Sequence, residues 1–226
     1  MPTEPVQPPP SDPRQALEWV LSMYRQGWFP MYDDASDQVQ WVQPHQRGII
    51  PLDERFVVSR SLRQAVKSAK FEVTSDQAFV DVIEACAAPA KGREQTWLSD
   101  EIIDAFCVLH EHGLAHSIEV WAKEPRRLVG GLYGVCVGSV FCGESMFSRP
   151  ETGGTNASKV ALVHLVAHLR GRGFTLLDSQ LENDHLAQFG CFAMPREGYQ
   201  KHLGKHAKDG VTWGEFEASR GVQFVG

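Results

Sequence analysis

The 226-residue sequence predicts an α+β fold, with helices packed on a mostly antiparallel sheet. Three observations lead there. Leu128–Val137 and Ser139–Phe147 are apolar, strand-forming runs separated only by Gly138, the pattern of an antiparallel hairpin. The period then changes: Val160, Val163, Val166, Ala167 and Leu169 recur at helical spacing within Asn156–Arg170, and Thr175–Leu181 reads as a further strand. Composition supports a packed core, since 42% of the residues are hydrophobic and 22% charged, close to the globular norm.

The elements follow in order. Residues 1–13 are proline-rich and read as a tail. A helix follows, capped by Ser11 or Asp12, with Pro13 in its first turn, an apolar face of Ala16, Leu17, Val20, Leu21 and Tyr24, and Gly27 at its end. An aromatic loop at 27–34 and an irregular strand-and-turn segment at 40–53 complete a small N-terminal domain, residues 14–58. The larger domain, 59–205, opens with a helix whose face is Leu62, Ala65, Val66 and Ala69. Helices near Phe79–Cys86 and Asp100–His112 come next; Ser99 caps the second and Gly113 ends it. Ser117–Ala122 is a strand, and Asn183–Phe189 a short helix. Residues 206–226 read as a polar tail.

Several chemistries are excluded or disfavoured. No window approaches the ~18 apolar residues of a membrane span, and the N-terminus lacks the basic and apolar regions of a signal peptide. The net charge of −6 argues weakly against a dedicated nucleic-acid binder. The five cysteines form no CxxC pair, so reduced thiols are expected. His164 and His168 are four apart, but Leu-Val-Ala stands between them where a metalloprotease helix carries a glutamate; core or surface histidines are the simpler reading, and no metal is expected. No GxSxG elbow or phosphate-binding GK[ST] loop occurs. Covalent catalysis by Cys142 or Ser145 stays open, with no partner histidine to name.

Functional groups concentrate in a few segments. Glu144 interrupts an apolar strand, where an unpaired carboxylate is costly, and strand alternation puts it on one face with Cys142 and Met146. Asp178 and Gln180, two apart on a strand, share a face; a polar surface and a functional pair fit equally well. Arg60, Arg63, Lys67 and Lys70 form a basic helical stripe, either a solvated face or a local phosphate-binding patch. Trp28, Phe29, Tyr32, Trp41 and Trp97 are either core or platforms for stacking a base.

Taken together, GWFP (27–30), RGIIPLD (47–53), TWLSD (96–100), FCGESMFSR (141–149), NASKVAL (156–162) and LLDSQLENDHLAQFG (176–190) resemble the leucyl/phenylalanyl-tRNA–protein transferase family. The resemblance runs from about Trp19 to about Leu203. It implies a GNAT-like C-terminal domain and transfer of Leu or Phe, less well Met, from aminoacyl-tRNA to the N-terminal Arg or Lys of a protein, marking that protein for degradation. It implies a cytoplasmic monomer using no metal or coenzyme. By motif, Asp178, Gln180 and Glu144 become catalytic: Asp178 orients Gln180, whose side-chain oxygen accepts from the attacking amine, and Glu144 places the donor. Leu132, Phe141, Met146 and Leu162 become the apolar aminoacyl pocket, and Asn183 an acceptor-side group. Trp97 and Trp41 become platforms for the terminal adenine, and the basic stripe a contact for acceptor-stem phosphates. Two departures stand out: Val42 follows Trp41 where relatives have a second tryptophan, and Pro150–Thr155 lengthens a usually short link. An acyl-CoA-dependent GNAT enzyme is the rival, but Arg149-Pro-Glu-Thr-Gly153-Gly154 misplaces the glycines of its pyrophosphate loop.

Overall fold

The structure, a computed structural model, describes residues 10, 12–33, 36, 38–68, 70–89, 98–218 and 222. Trp97, Ala69 and most of the expected N-terminal tail lie outside them.

Local signals place the helices well. In α1 (Pro13–Arg25) the Asp12 carboxylate accepts from the Gln15 N–H at 3.0 Å and proline takes the first position. Ser59 caps α2 (Arg60–Lys67) and Ser99 caps α4 (Asp100–Glu111); α3 (Phe79–Ala87) lies between them. The aromatic loop expected after α1 is instead a two-stranded antiparallel ribbon, β1 (Phe29–Asp33) with β2 (Gln38–Val42).

The remaining strands form one seven-stranded sheet: β3 (Gln46–Ile50), β4 (Phe71–Ser75), β5 (Ala115–Lys123), β6 (Arg126–Val137), β7 (Val140–Ser148), β8 (Leu176–Gln180) and β9 (Phe192–Pro195), in the spatial order β4-β5-β6-β7-β8-β3-β9. Every pairing is antiparallel except β7 with β8, which the crossover helix α5 (Ala157–Arg172) makes parallel. The short α6 (Asp184–Ala187) follows β8, and α7 (Arg196–His206) follows β9.

Two expected boundaries are corrected. β3, read as part of the small domain at 14–58, lies inside the large sheet between β8 and β9. Residues 207–218, read as part of a polar tail, pack on the large domain, because Trp213 is buried against Phe141, His116 and His168. Both were hard to read locally. β3 is short and broken by Gly48, and α7 buries only Tyr199 and Leu203 among charged neighbours.

Each face of the sheet carries a core. One joins α1, α3, α4 and α7 through residues such as Tyr24, Phe106 and Tyr199; the other joins α2, α5 and Trp213. α5 is buried nearly all round, since α2 and Trp213 cover the side away from the sheet. Its close seating needs Gly130, where a Cβ would overlap the Ala157 methyl. Gly130→Ala should cost about 1–3 kcal/mol by overpacking, read as a lower denaturant midpoint at unchanged m-value.

Two irregularities shape one end of the sheet. β7 and β8 pair only from Val140–Leu176 to Cys142–Asp178 and then part. Where they part, β7 bulges: Tyr133 pairs Ser145 and Gly134 pairs Gly143, leaving Glu144 as the extra residue. The expected alternation of Cys142, Glu144 and Met146 onto one face is therefore broken, and Cys142 and Met146 join opposite cores. β8 bulges against β3 at Ser179, after which Gln180 takes φ +65°.

Candidate active site

A cavity of about 720 Å³ opens where β7 and β8 separate. Leu132, Met146, Leu162, Leu165 and Leu177 supply an apolar wall, and Glu144, Asp178, Asn183 and Asp184 supply a polar one. An apolar side chain and a polar, positively charged group can therefore occupy it side by side.

Behind the polar wall lies a buried network. Asp178 is fully enclosed, and Arg47 from β3 donates Nε to both its oxygens at 2.9 Å and Nη2 to Oδ2 at 2.7 Å. Tyr199 donates its hydroxyl to Oδ2 at 2.7 Å. The Gln180 backbone N–H donates to Oδ1, also at 2.7 Å. Arg47 is itself buried between the Phe29 and Tyr199 rings, 4.7 and 4.6 Å from their centroids, and reaches the Gly27 carbonyl at 3.0 Å.

Gln180 links this cluster to Glu144. Its Nε2 donates to Glu144 Oε2 at 2.6 Å, while Tyr24 donates to Oε1 at 3.0 Å. Burial pushes the Glu144 carboxyl up to about 8, against the lowering effect of these two hydrogen bonds. The Gln180 carboxamide oxygen accepts no hydrogen bond among the described residues. Asp178 thus fixes the Gln180 backbone, where the sequence suggested that it orients the side chain. Burial also pushes the Cys142 thiol well up, which removes it as a nucleophile near neutral pH.

The comparisons with known proteins decide the family. Residues 49–204 match the model for leucyl/phenylalanyl-tRNA protein transferase, and residues 16–45 match the model for its N-terminal domain. The chain belongs to the leucyl/phenylalanyl-tRNA–protein transferase family. A curated relative of that name from Novosphingobium aromaticivorans is 49% identical over 206 residues, covering 91% of this chain and 75% of its own. Another, from Chlorobaculum parvum, is 46% identical over 191 residues, covering 84% and 94%. The solved structure of FemX shares the fold with a TM-score of 0.54 at 11% identity, over 81% of this chain and 67% of that one.

Within this transferase-family chain, the structure brings Glu144, Asp178 and Gln180 together, and places Leu132, Met146, Leu162 and Asn183 on the cavity wall. Asn183 also caps α6, its side-chain oxygen accepting from the Leu186 N–H at 2.9 Å. Phe141 is not on the wall: it is fully buried against Phe174 and Trp213. Trp41 is only 8% exposed and lies perpendicular to Trp19 and Tyr24, with ring centroids 5.1 and 6.2 Å away. So enclosed, it is a core residue rather than an open platform, and half-buried Trp19 is the more accessible partner.

The basic stripe divides. Arg60 and Lys67 are exposed, Arg63 donates to the Val58 carbonyl at 3.0 Å, and Lys70 donates to the Gly153 carbonyl at 3.0 Å. Lys70, with Arg127 on Thr152, thereby clasps the 150–155 loop. His164 and His168 pack inside, and burial pushes both down to about 4. Sequence reading did not single out Arg47, Tyr24 or Tyr199 for the site. The one available signal was a strand arginine flanked by Gly48, Ile49 and Ile50.

Proposed function

We propose that this chain transfers leucine or phenylalanine, and methionine less well, from aminoacyl-tRNA to the N-terminal Arg or Lys of an acceptor protein in the cytoplasm, marking it for degradation. The cavity between β7 and β8 carries this reading: one wall suits an unbranched-to-aromatic apolar side chain, and the other suits a cation. Met146, flexible and polarisable, adapts that wall to both donors.

The donor ester is already activated, so the enzyme needs no covalent nucleophile. It must hold an amine against an ester carbonyl and manage its proton. The carboxamide oxygen of Gln180, on a side chain bonded to the cavity-lining Glu144, serves as the acceptor for that amine. Asp184, exposed on the cavity lip, faces the acceptor's positive side chain. The family membership supports a tRNA donor, and exposed Arg60 and Lys67 supply phosphate contacts on a protein of net charge −6.

The deciding experiment incubates the protein with radiolabelled Leu-tRNA and peptides beginning with Arg, Lys, Asp or Ala. Label on Arg and Lys peptides alone is expected; label on none of them refutes the reading. Met146→Trp should fill the pocket and lower Phe transfer by at least tenfold, so undiminished Phe transfer would remove Met146 from it. Charge reversal of Arg60 and Lys67 should reduce the slope of log affinity against log salt by roughly 1–2 units, whereas an unchanged slope would remove them from the tRNA interface.

A further inference from the structure

We infer that Arg47 makes Asp178 a positioning carboxylate, and that Glu144 is the group that accepts the proton of the attacking amine. This inference rests on the proposed transfer reaction and goes beyond it by separating the roles of two carboxylates in one network.

The separation follows from acceptor capacity. A carboxylate offers about four lone-pair sites. Asp178 receives four donor groups, namely Arg47 Nε–H and Nη2–H, Tyr199 O–H and the Gln180 backbone N–H, and none of its surface is exposed. Its carboxylate keeps no free acceptor site, although the residue borders the cavity. Glu144 receives one donor on each oxygen, from Tyr24 and Gln180, and lines the cavity. Each oxygen keeps one unfilled site. An amine held at the Gln180 carboxamide oxygen lies beside Glu144, because the same carboxamide donates to Glu144 at 2.6 Å.

The chain of positioning is continuous. Arg47 and Tyr199 lock Asp178, Asp178 locks the Gln180 backbone at φ +65°, and Gln180 aims Glu144. The charged and titratable groups around Glu144 are Tyr24 on α1, Arg47 on β3, Cys142 on β7 and Asp178 on β8; Asp184 and His185 of α6 line the same cavity. Burial brings the carboxyl to about 8, close to the ordinary α-amine range of about 7.7–8.0, so proton transfer between the two is nearly balanced.

The step balances as follows. In its ionised form, which grows as pH approaches 8, Glu144 takes one proton from the acceptor's ammonium group and releases it to solvent. The freed amine attacks the ester carbonyl, the N–C bond forms, and the C–O bond to the ribose breaks. The nitrogen loses its second proton to Glu144, which hands it to the departing ribose oxygen as a hydroxyl.

Chemical rescue tests the assignment. Glu144→Ala should lower single-turnover transfer by about 10²–10⁴-fold, and added formate should restore part of it in proportion to formate concentration. Asp178→Asn should also be slow but indifferent to formate. Arg47→Lys keeps the charge and loses the fork, and should lower kcat with KM for aminoacyl-tRNA nearly unchanged. As a readout independent of activity and of large packing changes, ¹³C-carboxyl NMR of the glutamate-labelled protein should show one group titrating near neutrality, absent in Glu144→Gln. Formate rescue of the Asp178 variant with none for Glu144→Ala, or all glutamates titrating below about pH 5, would overturn the inference. A wild-type protein that transfers to no acceptor overturns the proposed function itself, so the two failures are distinguishable.

Discussion

Replacing Asp178 with alanine should lower unfolding stability by about 3–5 kcal/mol and transfer by more than a hundredfold. The stability loss comes from what stays behind. Arg47 is buried between Phe29 and Tyr199 and would keep its charge with the Gly27 carbonyl as its one remaining hydrogen-bond acceptor among the described residues, while the Tyr199 hydroxyl would lose its acceptor. At about 2–4 °C per kcal/mol for a chain of this size, the melting temperature should fall by roughly 6–20 °C. The transfer loss comes from releasing the Gln180 backbone and, through it, Glu144. Affinity for tRNA should change little, since Arg60 and Lys67 lie on α2. The two effects separate in the double variant Arg47→Met, Asp178→Leu. An apolar replacement of a buried ion pair commonly restores stability, so urea midpoints should recover while single-turnover rates do not. Wild-type turnover in Asp178→Ala would remove Asp178 from the mechanism.

The second large effect is on stability against pH. The Glu144 carboxyl sits near 8 in the folded protein, against an ordinary value of 4.5. The folded chain therefore binds one more proton than the unfolded chain between those limits, and stability falls as pH rises through that window. The contribution is fully present below about pH 4.5 and lost above about pH 8. Its size is on the order of 3–5 kcal/mol. Glu144→Gln cannot titrate, so its stability should run flatter than wild type from pH 5 to 8, and the two curves should converge or cross toward alkaline pH. Parallel curves in urea melts across that range would show that Glu144 is not held in this state.

Much of the site's membership was legible. Glu144 stood out because a carboxylate inside an apolar strand demands a partner, and it has two. Asp178 and Gln180 stood out through spacing and motif. The pocket residues Leu132, Met146 and Leu162 were placed by resemblance and do line the cavity, whereas Phe141 does not. Phe141 lies before the bulge at Glu144 and is covered by Phe174 and Trp213, contacts that no local motif marks. A tryptophan beside a turn can be platform or core, and the packing of Trp41 against Trp19 from a neighbouring helix is not marked by any local pattern.

By itself the sequence determined the fold class, the β6–β7 hairpin, the long helix α5, the helix cap at Ser99, and the residues that carry charge into an apolar setting. These depend on neighbours a few residues apart, where side-chain period and backbone hydrogen bonding leave a direct mark. The tertiary structure alone decided which charges meet. Arg47 reaches Asp178 across 131 residues, Tyr24 reaches Glu144 across 120, and the cavity exists only because two parallel strands part at paired bulges. No local pattern encodes those meetings, because burial selects them: a buried carboxylate is tolerated only where the fold delivers donors to each of its oxygens.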